Sequence, residues 1–181
     1  MYIQYHDEEW GVPVHDDKKL FEMLVLEGFQ AGLTWELILK RREALKKAFA
    51  GFDPKTLAKF TSTDAENLLL NPSIIRNKGK IFAAIHNAAR FIEVQNEFGS
   101  FDKFIWQFVK GKPIAHAFKS FADMPSQTIE SYAMSRELKK RGFKFVGPTI
   151  CYAFMQAVGL VNDHLVSCFR YSQIQKLSQL P

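Results

Sequence analysis

Helix signals recur along almost the whole chain, and no segment alternates convincingly between apolar and polar residues as a half-buried strand would. One predicted helix runs from Asp17 to Gly28 and carries four apolar residues at helical spacing: Leu20, Phe21, Met23 and Leu24. Helix starts are indicated at Thr34 (ahead of Trp35, Ile38, Leu39 and Leu45), at Asp53 with Pro54, and at a capping box of Thr63 with Glu66. These signals predict an all-α fold with short connections.

Four later helices are bounded by glycine, serine or proline, residues that commonly stop or start helices. Their predicted bounds are about 78–97 with a stop at Gly99, Ser100 to Gly111, Ser126 to Arg141 with a stop at Gly142, and Pro148 to about Gly159. The last two helices are joined by a tight turn. They predict a helix-hairpin-helix element at about 127–159.

Length and composition narrow the class of protein. The 181 residues contain no linker or repeat, so we expect one helical domain over 1–181. The longest apolar stretch, Ile150 to Val161, is interrupted by Gln156 and Gly159 and is shorter than the roughly 20 residues that cross a bilayer. The amino terminus does not have the pattern of a signal peptide, and two cysteines do not build a disulfide framework. We expect a cytoplasmic monomer without a membrane partner.

The net charge of +5 favours an anionic partner, although charge alone is a weak indication. Two clusters concentrate it: Lys139, Lys140, Arg141 and Lys144 in a region without acidic residues, and Lys40, Arg41, Arg42, Lys46 and Lys47, broken by Glu43. Two solvated helix ends would give the same pattern. Both interpretations stay open on charge alone.

The turn within 139–149 has the features of an anion site. Gly142 permits the left-handed conformation that ends a helix, and Gly147 leaves room for a ligand to approach the backbone. The next helix starts at once, so its first amides are unpaired and suit a phosphate, with Lys144 and Thr149 beside them. An ordinary helix–turn–helix corner is the alternative.

Two further groupings contain chemistry-bearing side chains. His164 and Cys168 are four residues apart, so on a helix they would share a face and could ligate zinc, with His6 as a third ligand. A capped histidine and a buried thiol are the alternative. Glu27 falls on the apolar face of the first long helix, where a carboxylate needs a partner. The partner is either a structural arginine or amide, or a flat cationic ligand held among four aromatic residues: Tyr2, Tyr5, Trp10 and Trp35.

Together these stretches resemble the 3-methyladenine DNA glycosylase I family of the helix-hairpin-helix glycosylase superfamily. The resembling segments cover nearly the whole chain in order: 5–13, 19–23 with 26–28 and 30–35, 74–76 with 80–81, 141–147 and 159–164. The resemblance implies repair of alkylated double-stranded DNA near the nucleoid. Its reaction is the release of 3-methyladenine by hydrolysis of the N-glycosidic bond.

The resemblance also implies roles for individual residues. Glu27 matches the carboxylate that recognises the base and is the candidate catalytic residue, while Tyr5 bonds the base and Trp35 stacks on it. Tyr2 and Trp10 match further walls of the base pocket. The expected DNA contacts are Gly32, Leu33, Lys144, Gly147 and Thr149, the first two forming a turn that approaches the gap left by a flipped nucleotide.

For the metal, the resemblance implies that His6, His164 and Cys168 are three of four ligands of a structural zinc that joins the chain ends. In the family the fourth ligand is a cysteine in an amino-terminal Arg-Cys-Gly-Trp-like element, whose tryptophan also lines the pocket. This chain begins at Met1, after that element, and Cys151 is a poor substitute. We therefore expect incomplete zinc occupancy and a pocket that lacks one wall.

Many glycosylases of this superfamily use an aspartate after the hairpin, and those that nick the strand add a lysine within it. The matching positions here are Asn162 and Thr149, so we expect no lyase activity. Methylation at N3 makes adenine cationic and weakens the glycosidic bond, so the enzyme needs only to extract the base, hold it and admit water.

Two other functions remain as alternatives. A non-catalytic DNA-binding module would use only the hairpin and the basic surface, and would not need Glu27 with Tyr5 and Trp35. A glycosylase of the same superfamily for oxidised or mismatched bases would be expected to carry the aspartate or a four-cysteine iron–sulfur pattern.

Overall fold

The computed structural model describes residues 1–177, and this part of the chain contains ten α-helices and one pair of very short strands. The helices are α1 (Tyr2–Glu8), α2 (Asp17–Gln30), α3 (Trp35–Ala48), α4 (Pro54–Leu57), α5 (Ser62–Leu70), α6 (Lys78–Phe98), α7 (Phe101–Trp106), α8 (Ile129–Lys140), α9 (Pro148–Ala157) and α10 (Phe169–Leu177). The predicted all-α fold is confirmed. Within 1–177, no helix is both long and apolar enough to cross a membrane.

The strands β1 (Ile114–Ala115) and β2 (Val161–Asn162) form a parallel pair. Two residues are too few to produce an alternating pattern, so neither strand could be predicted from the sequence. The pair joins the loop after α7 to the segment after α9, and residues 163–168 follow directly after β2.

Several helix boundaries follow the local signals. Thr34 caps α3 by accepting a hydrogen bond from the Leu37 amide, and Asp53 caps α4 with Pro54 in its first turn. Gly99 ends α6 in the left-handed conformation, with φ of 84°. These positions were predicted correctly because caps depend on contacts within a few residues.

Three predicted boundaries are wrong. The capping box of α5 is formed by Thr61 and Asp64 rather than by Thr63 and Glu66, since the Asp64 carboxylate reaches both the amide and the hydroxyl of Thr61. Thr128, not Ser126, caps α8. The helix that opens after Ser100 ends at Trp106 and continues as a 3-10 turn over Gln107–Val109, before Gly111 is reached.

Helix α2 lies at the centre of the core and packs against α3, α6, α7 and α9. Its residues from Leu20 to Phe29 are all buried, so the helix is enclosed all round rather than along one stripe. Glu27 and Glu22 are therefore carboxylates inside the core. Phenylalanines from neighbouring helices fill the space around it, among them Phe91 and Phe101, whose rings stack at 4.1 Å.

The segment after α1 is tied to the end of α9. The amide of Gly11 donates to the Gln156 carbonyl, and that of Val14 donates to the Val158 carbonyl. Gly159 permits this approach, because a Cβ there would lie 2.4 Å from the carbonyl carbon of Val12. As a result α1 lies beside residues 163–168, and the two ends of the chain share one site.

Candidate base-binding cavity and hairpin

A cavity of about 490 Å³ lies between α1, α2, the start of α3 and α9, and the segments 121–124 and 163–168 close it. Five side chains singled out from the sequence line it: Tyr2, Tyr5, Trp10, Glu27 and Trp35. His6, His164 and Cys168 line it as well. The structure thus brings together residues that are more than 160 positions apart in sequence.

Glu27 is the buried acid of this cavity. Its side chain projects from the central helix α2, it is 4% exposed, and its Oε2 atom has no hydrogen-bond partner among residues 1–177. Burial raises the pKa of this carboxyl to about 8. Of the two alternatives for its partner, a structural arginine or amide is not found among residues 1–177, so the carboxyl is available to a ligand.

Tyr5 and Trp35 stand beside this acid. Their ring centroids are 5.2 Å apart with an angle of 52° between the planes, and the indole Nε1 of Trp35 is buried without a partner in the described part of the chain. Burial, with the charge of Glu27, raises the pKa of the Tyr5 hydroxyl above its usual value, so the phenol keeps its proton and can donate. The cavity therefore offers unpaired polar atoms inside aromatic walls.

The other two aromatic residues occupy different depths. Tyr2 is half exposed on α1, whereas Trp10 is partly buried and its ring meets the His164 ring edge to face, with centroids 4.6 Å apart. Trp10 therefore links the cavity wall to the histidine cluster.

A charged network fixes α1 against α2 and α3. The guanidinium of Arg42 donates two hydrogen bonds to Glu9 and one to Glu22, and the Lys19 ammonium donates to Glu9. The hydrogen bonds from Arg42 lower the pKa of Glu9 to about 2. Arg42 is thus an internal ion-pair partner rather than part of a free basic surface.

His6, His164 and Cys168 form a compact cluster, although not through the predicted helical face. Residues 163–168 are a turn ahead of α10, so the prediction of a helix over His164–Cys168 is wrong. The turn still brings the side chains together. The Cys168 Sγ lies 3.7 Å from His6 Nε2 and 3.7 Å from His164 Nδ1.

The cluster fits a zinc ion. Tetrahedral bonds of roughly 2.1 Å to nitrogen and 2.3 Å to sulfur place those ligand atoms about 3.5 Å apart, close to the distances observed. His164 Nε2 must donate to the Trp10 carbonyl at 3.0 Å, and His6 Nδ1 to the Asp7 carboxylate at 2.7 Å. Each ring therefore directs its other, unprotonated nitrogen toward Cys168. Cys151 lies apart, buried in α9 with its thiol against the Val146 carbonyl.

A second region of interest is the loop 141–147 between α8 and α9, here called the hairpin loop. Its backbone is held from inside: Asn87 on α6 donates to the Lys144 carbonyl at 2.9 Å and accepts from the Lys144 amide at 2.8 Å. Ser135 donates to the Val146 carbonyl. Gly142 has φ of 87°, as expected of a residue that ends a helix.

The outer side of the hairpin loop is open. A Cβ at Gly147 would meet no atom within 4 Å, and Lys144 and Thr149 are exposed beside it. Helix α9 starts at Pro148, and its first hydrogen bond is donated by the Cys151 amide to the Gly147 carbonyl, so the amides of Thr149 and Ile150 precede the bonded part of the helix. Of the predicted cationic cluster, Arg141 is engaged with Glu97 at 2.6 Å, so Lys144 is the better placed of the two for an external anion.

The predicted turn at Gly32 and Leu33 joins α2 to α3. Gly32 is exposed with φ of 74°, whereas Leu33 is partly buried against the core. Lys80 holds the start of this turn through hydrogen bonds to the carbonyls of Phe29 and Ala31.

Sequence reasoning missed eight lining residues: Gln30, Phe121, Met124, Ala153, Gln156, Asp163, Leu165 and Ser167. Gln156 did leave a signal, since it is a polar residue inside the apolar stretch 150–161. Asn162, which was predicted to match the superfamily's aspartate, is buried and donates to the Tyr171 carbonyl instead of lining the cavity.

The chain is similar to known proteins over nearly its whole length. The methyladenine glycosylase family matches residues 1–171. DNA-3-methyladenine glycosylase 1 of Escherichia coli (strain K12) is 50% identical over 171 residues, covering 94% of this chain and 91% of the relative.

Solved structures give the same result. A crystal structure of 3-methyladenine DNA glycosylase I is 52% identical with a TM-score of 0.91, over 93% of this chain and 92% of that one. A structure of the enzyme from Staphylococcus aureus, described as the structural basis of 3-methyladenine recognition, is 38% identical with a TM-score of 0.91, over 93% of this chain and 89% of that one.

Proposed function

The chain belongs to the methyladenine glycosylase family, and on this premise we propose that it releases 3-methyladenine from alkylated DNA by hydrolysing the N-glycosidic bond. It acts in base-excision repair as a hydrolase without lyase activity. The observation that carries the proposal is the unpaired Glu27 carboxyl inside an aromatic cavity. Such a cavity suits a flat, cationic base.

The chemistry of the lesion explains how few catalytic groups the reaction needs. Adenine methylated at N3 is positively charged, so it departs from the sugar as a neutral molecule. Glu27 and Tyr5 hold the edge of the flipped base while Trp35 covers its face. The enzyme's task is to extract the base, retain it and admit water to the sugar carbon.

The remaining carboxylate of the cavity is not poised to act as a base. Asp163 is buried and accepts hydrogen bonds from His116, Tyr152 and Gln156. Asn162 carries no carboxylate. This arrangement supports a reaction that relies on an activated leaving group rather than on strong general-base catalysis.

Double-stranded DNA is the proposed macromolecular partner. The hairpin loop and the start of α9 act as a helix-hairpin-helix element whose amides bind a backbone phosphate, helped by Lys144 and Thr149. Gly32 and Leu33 approach the gap left by the flipped nucleotide. We place this monomeric enzyme in the cytoplasm, at the nucleoid, where its substrate lies.

The function is tested with DNA treated with a methylating agent, followed by chromatography of the released bases. The wild-type protein releases 3-methyladenine without strand cleavage. Glu27→Gln lowers this release by about 10- to 100-fold, because the amide cannot carry the negative charge that strengthens a hydrogen bond to a cationic base. Glu43→Gln, an exposed acid on α3, is the matched control and keeps the wild-type rate. Equal release by Glu27→Gln and wild type overturns the role of Glu27.

A structural zinc ion is the proposed cofactor, held by His6, His164 and Cys168. When bound, zinc cross-links the first helix to the segment before α10 and takes no part in the chemistry. The orientation of both imidazoles supports this assignment. His164 is also kept neutral, because burial lowers the pKa of its ring.

Zinc is tested by metal analysis of the purified protein. The wild type and Cys151→Ser contain zinc, whereas Cys168→Ser loses most of it and melts at a lower temperature. A wild-type protein that binds no zinc even after incubation with the ion contradicts the assignment.

A further inference from the structure

Gln156 is a polar side chain of the cavity to which neither the sequence nor the family resemblance gave a role. It lies on α9 one turn after Ala153, and both residues line the cavity. Its Nε2 atom donates to Asp163 Oδ2 at 2.8 Å and contacts the Met124 sulfur at 3.3 Å.

Asp163 fixes which way the Gln156 amide is turned. Its carboxylate is buried and receives His116 Nδ1 at 2.6 Å, the Tyr152 hydroxyl at 2.5 Å and Gln156 Nε2. An ionised carboxylate only accepts hydrogen bonds, so the amino end of the amide must face it. A reversed amide would place its carbonyl oxygen against a carboxylate oxygen.

The oxygen end of the amide is consequently turned away from Asp163. Gln156 Oε1 accepts no hydrogen bond from the described part of the chain, 1–177. Within residues 1–177, four side-chain atoms are sealed inside the protein without a partner, and Gln156 Oε1 is not one of them. Since the side chain lines the cavity, the free oxygen is accessible from that cavity.

We propose that Gln156 is a specificity-determining residue that accepts a hydrogen bond from the exocyclic amino group of a flipped adenine-type base and disfavours purines with a carbonyl oxygen there. This proposal rests on the proposed glycosylase function and specifies how the same cavity selects its substrate. Adenine presents an amino donor at this position, whereas guanine presents an acceptor, which repels a fixed acceptor.

Gln156 is better suited to this discrimination than Glu27. Burial raises the pKa of Glu27 to about 8, so that carboxyl can carry a proton and donate as well as accept. The Gln156 amide does not titrate, and Asp163 prevents it from turning over. A fixed acceptor disfavours a carbonyl oxygen, because the two unpaired acceptors would be left facing each other.

The test compares two lesions in the same methylated DNA, 3-methyladenine and 3-methylguanine. Both are cationic at the same ring position and both leave as neutral bases, so a change in the ratio of their single-turnover release rates on substitution of Gln156 reports on recognition rather than on activation of the leaving group. We expect Gln156→Leu to lower 3-methyladenine release and to reduce the ratio of the two rates about tenfold. Gln107→Leu, on an exposed glutamine outside the cavity, is the control and leaves the ratio unchanged.

Gln156→Met, an unbranched replacement of similar length, is measured in parallel. It shows whether an effect of Gln156→Leu comes from poor packing of the branched leucine side chain. Circular dichroism verifies the fold of each variant. An unchanged ratio in the folded variants overturns the proposal, whether 3-methyladenine release falls or stays the same. A wild-type protein that releases neither base instead contradicts the proposed glycosylase function, so the two failures are distinguishable.

Discussion

The cavity and the hairpin loop present polar groups in different ways. In the cavity the available groups are a few side-chain atoms, such as Glu27 Oε2 and Trp35 Nε1, buried within apolar walls. At the hairpin loop they are backbone amides at the surface, while the carbonyls of Lys144 and Val146 are occupied by side chains from inside. One region depends on individual residues, and the other on the path of the main chain.

This difference predicts different sensitivity to substitution. An unpaired group in a low-dielectric cavity contributes strongly to binding a charged base, and removing it affects one step of the reaction. A surface loop spreads its contribution over several amides and lysines in water, where each contact is screened by salt. Substitutions in the cavity should therefore alter chemistry and selectivity, and substitutions in the hairpin loop should alter DNA affinity.

The largest expected effect concerns the buried acid and is a dependence of stability on pH. The pKa of Glu27 is raised from 4.5 to about 8, so between these values the folded protein holds a proton that the unfolded chain does not. Stability from this group is fully present below pH 4.5 and is lost as the pH rises toward about 8. In Glu27→Gln this loss is absent. As the pH rises, the free energy of unfolding of Glu27→Gln should fall less steeply than that of the wild type. The two slopes should differ by up to ~1.4 kcal/mol per pH unit.

The measurement is urea unfolding of wild type and Glu27→Gln at a series of pH values across this interval. Other titrating groups are common to both proteins and cancel in the difference. Parallel curves would show that Glu27 is already ionised in the folded protein, and the contrast between a buried neutral acid and a solvated loop would fail.

The second prediction concerns Gly147→Ala. Its φ of −65° suits alanine, and the added methyl group meets only open space, so the fold is retained. The methyl group would nevertheless stand where a phosphate approaches the amides, and we expect duplex affinity to fall about tenfold, or ~1.4 kcal/mol.

Fluorescence anisotropy with a duplex that contains an abasic-site analogue measures this affinity. A titration with free 3-methyladenine, followed by tryptophan fluorescence, should give the wild-type affinity, because the cavity is untouched. Weaker binding of the free base would mean that the two regions are not independent.

The smallest effect is expected for Lys144→Ala. One exposed charge near a phosphate accounts for one released counterion, so the slope of log affinity against log salt should become shallower by about 0.9. At physiological salt the affinity loss should be only a few-fold. Lys55→Ala on α4 is the matched control, since Lys55 is exposed and α4 carries no residue of the cavity or the hairpin loop. The same change of slope in both variants would contradict a specific contact between Lys144 and a DNA phosphate.

The sequence predicted those parts of the fold and site that local spacing determines. The position of Glu27 among apolar residues predicted its burial, and Gly142 and Pro148 predicted the bounds of the hairpin loop. Local spacing did not decide between neighbouring helix caps. Thr61 and Thr63 both precede an acid by three residues, and only the three-dimensional path of the chain selects Thr61.

Contacts between residues far apart in sequence could not be predicted from local spacing. Nothing near Arg42 in sequence indicates that it pairs with Glu9, and Asp163 reaches His116 across 47 positions. The cluster of His164 and Cys168 was anticipated for the wrong local reason, since a turn and not a helix brings the two side chains together. Such contacts depend on how helices pack.

The walls of the cavity come from both ends of the chain, and this has a consequence for synthesis on the ribosome. Helix α1 emerges from the ribosome more than 150 residues before its partners Asp163 to Cys168. A growing polypeptide can form the α2–α3 pair early, but the pocket closes only when residues 163–168 have left the exit tunnel. The protein therefore gains its ability to capture a base long after its first helices can form.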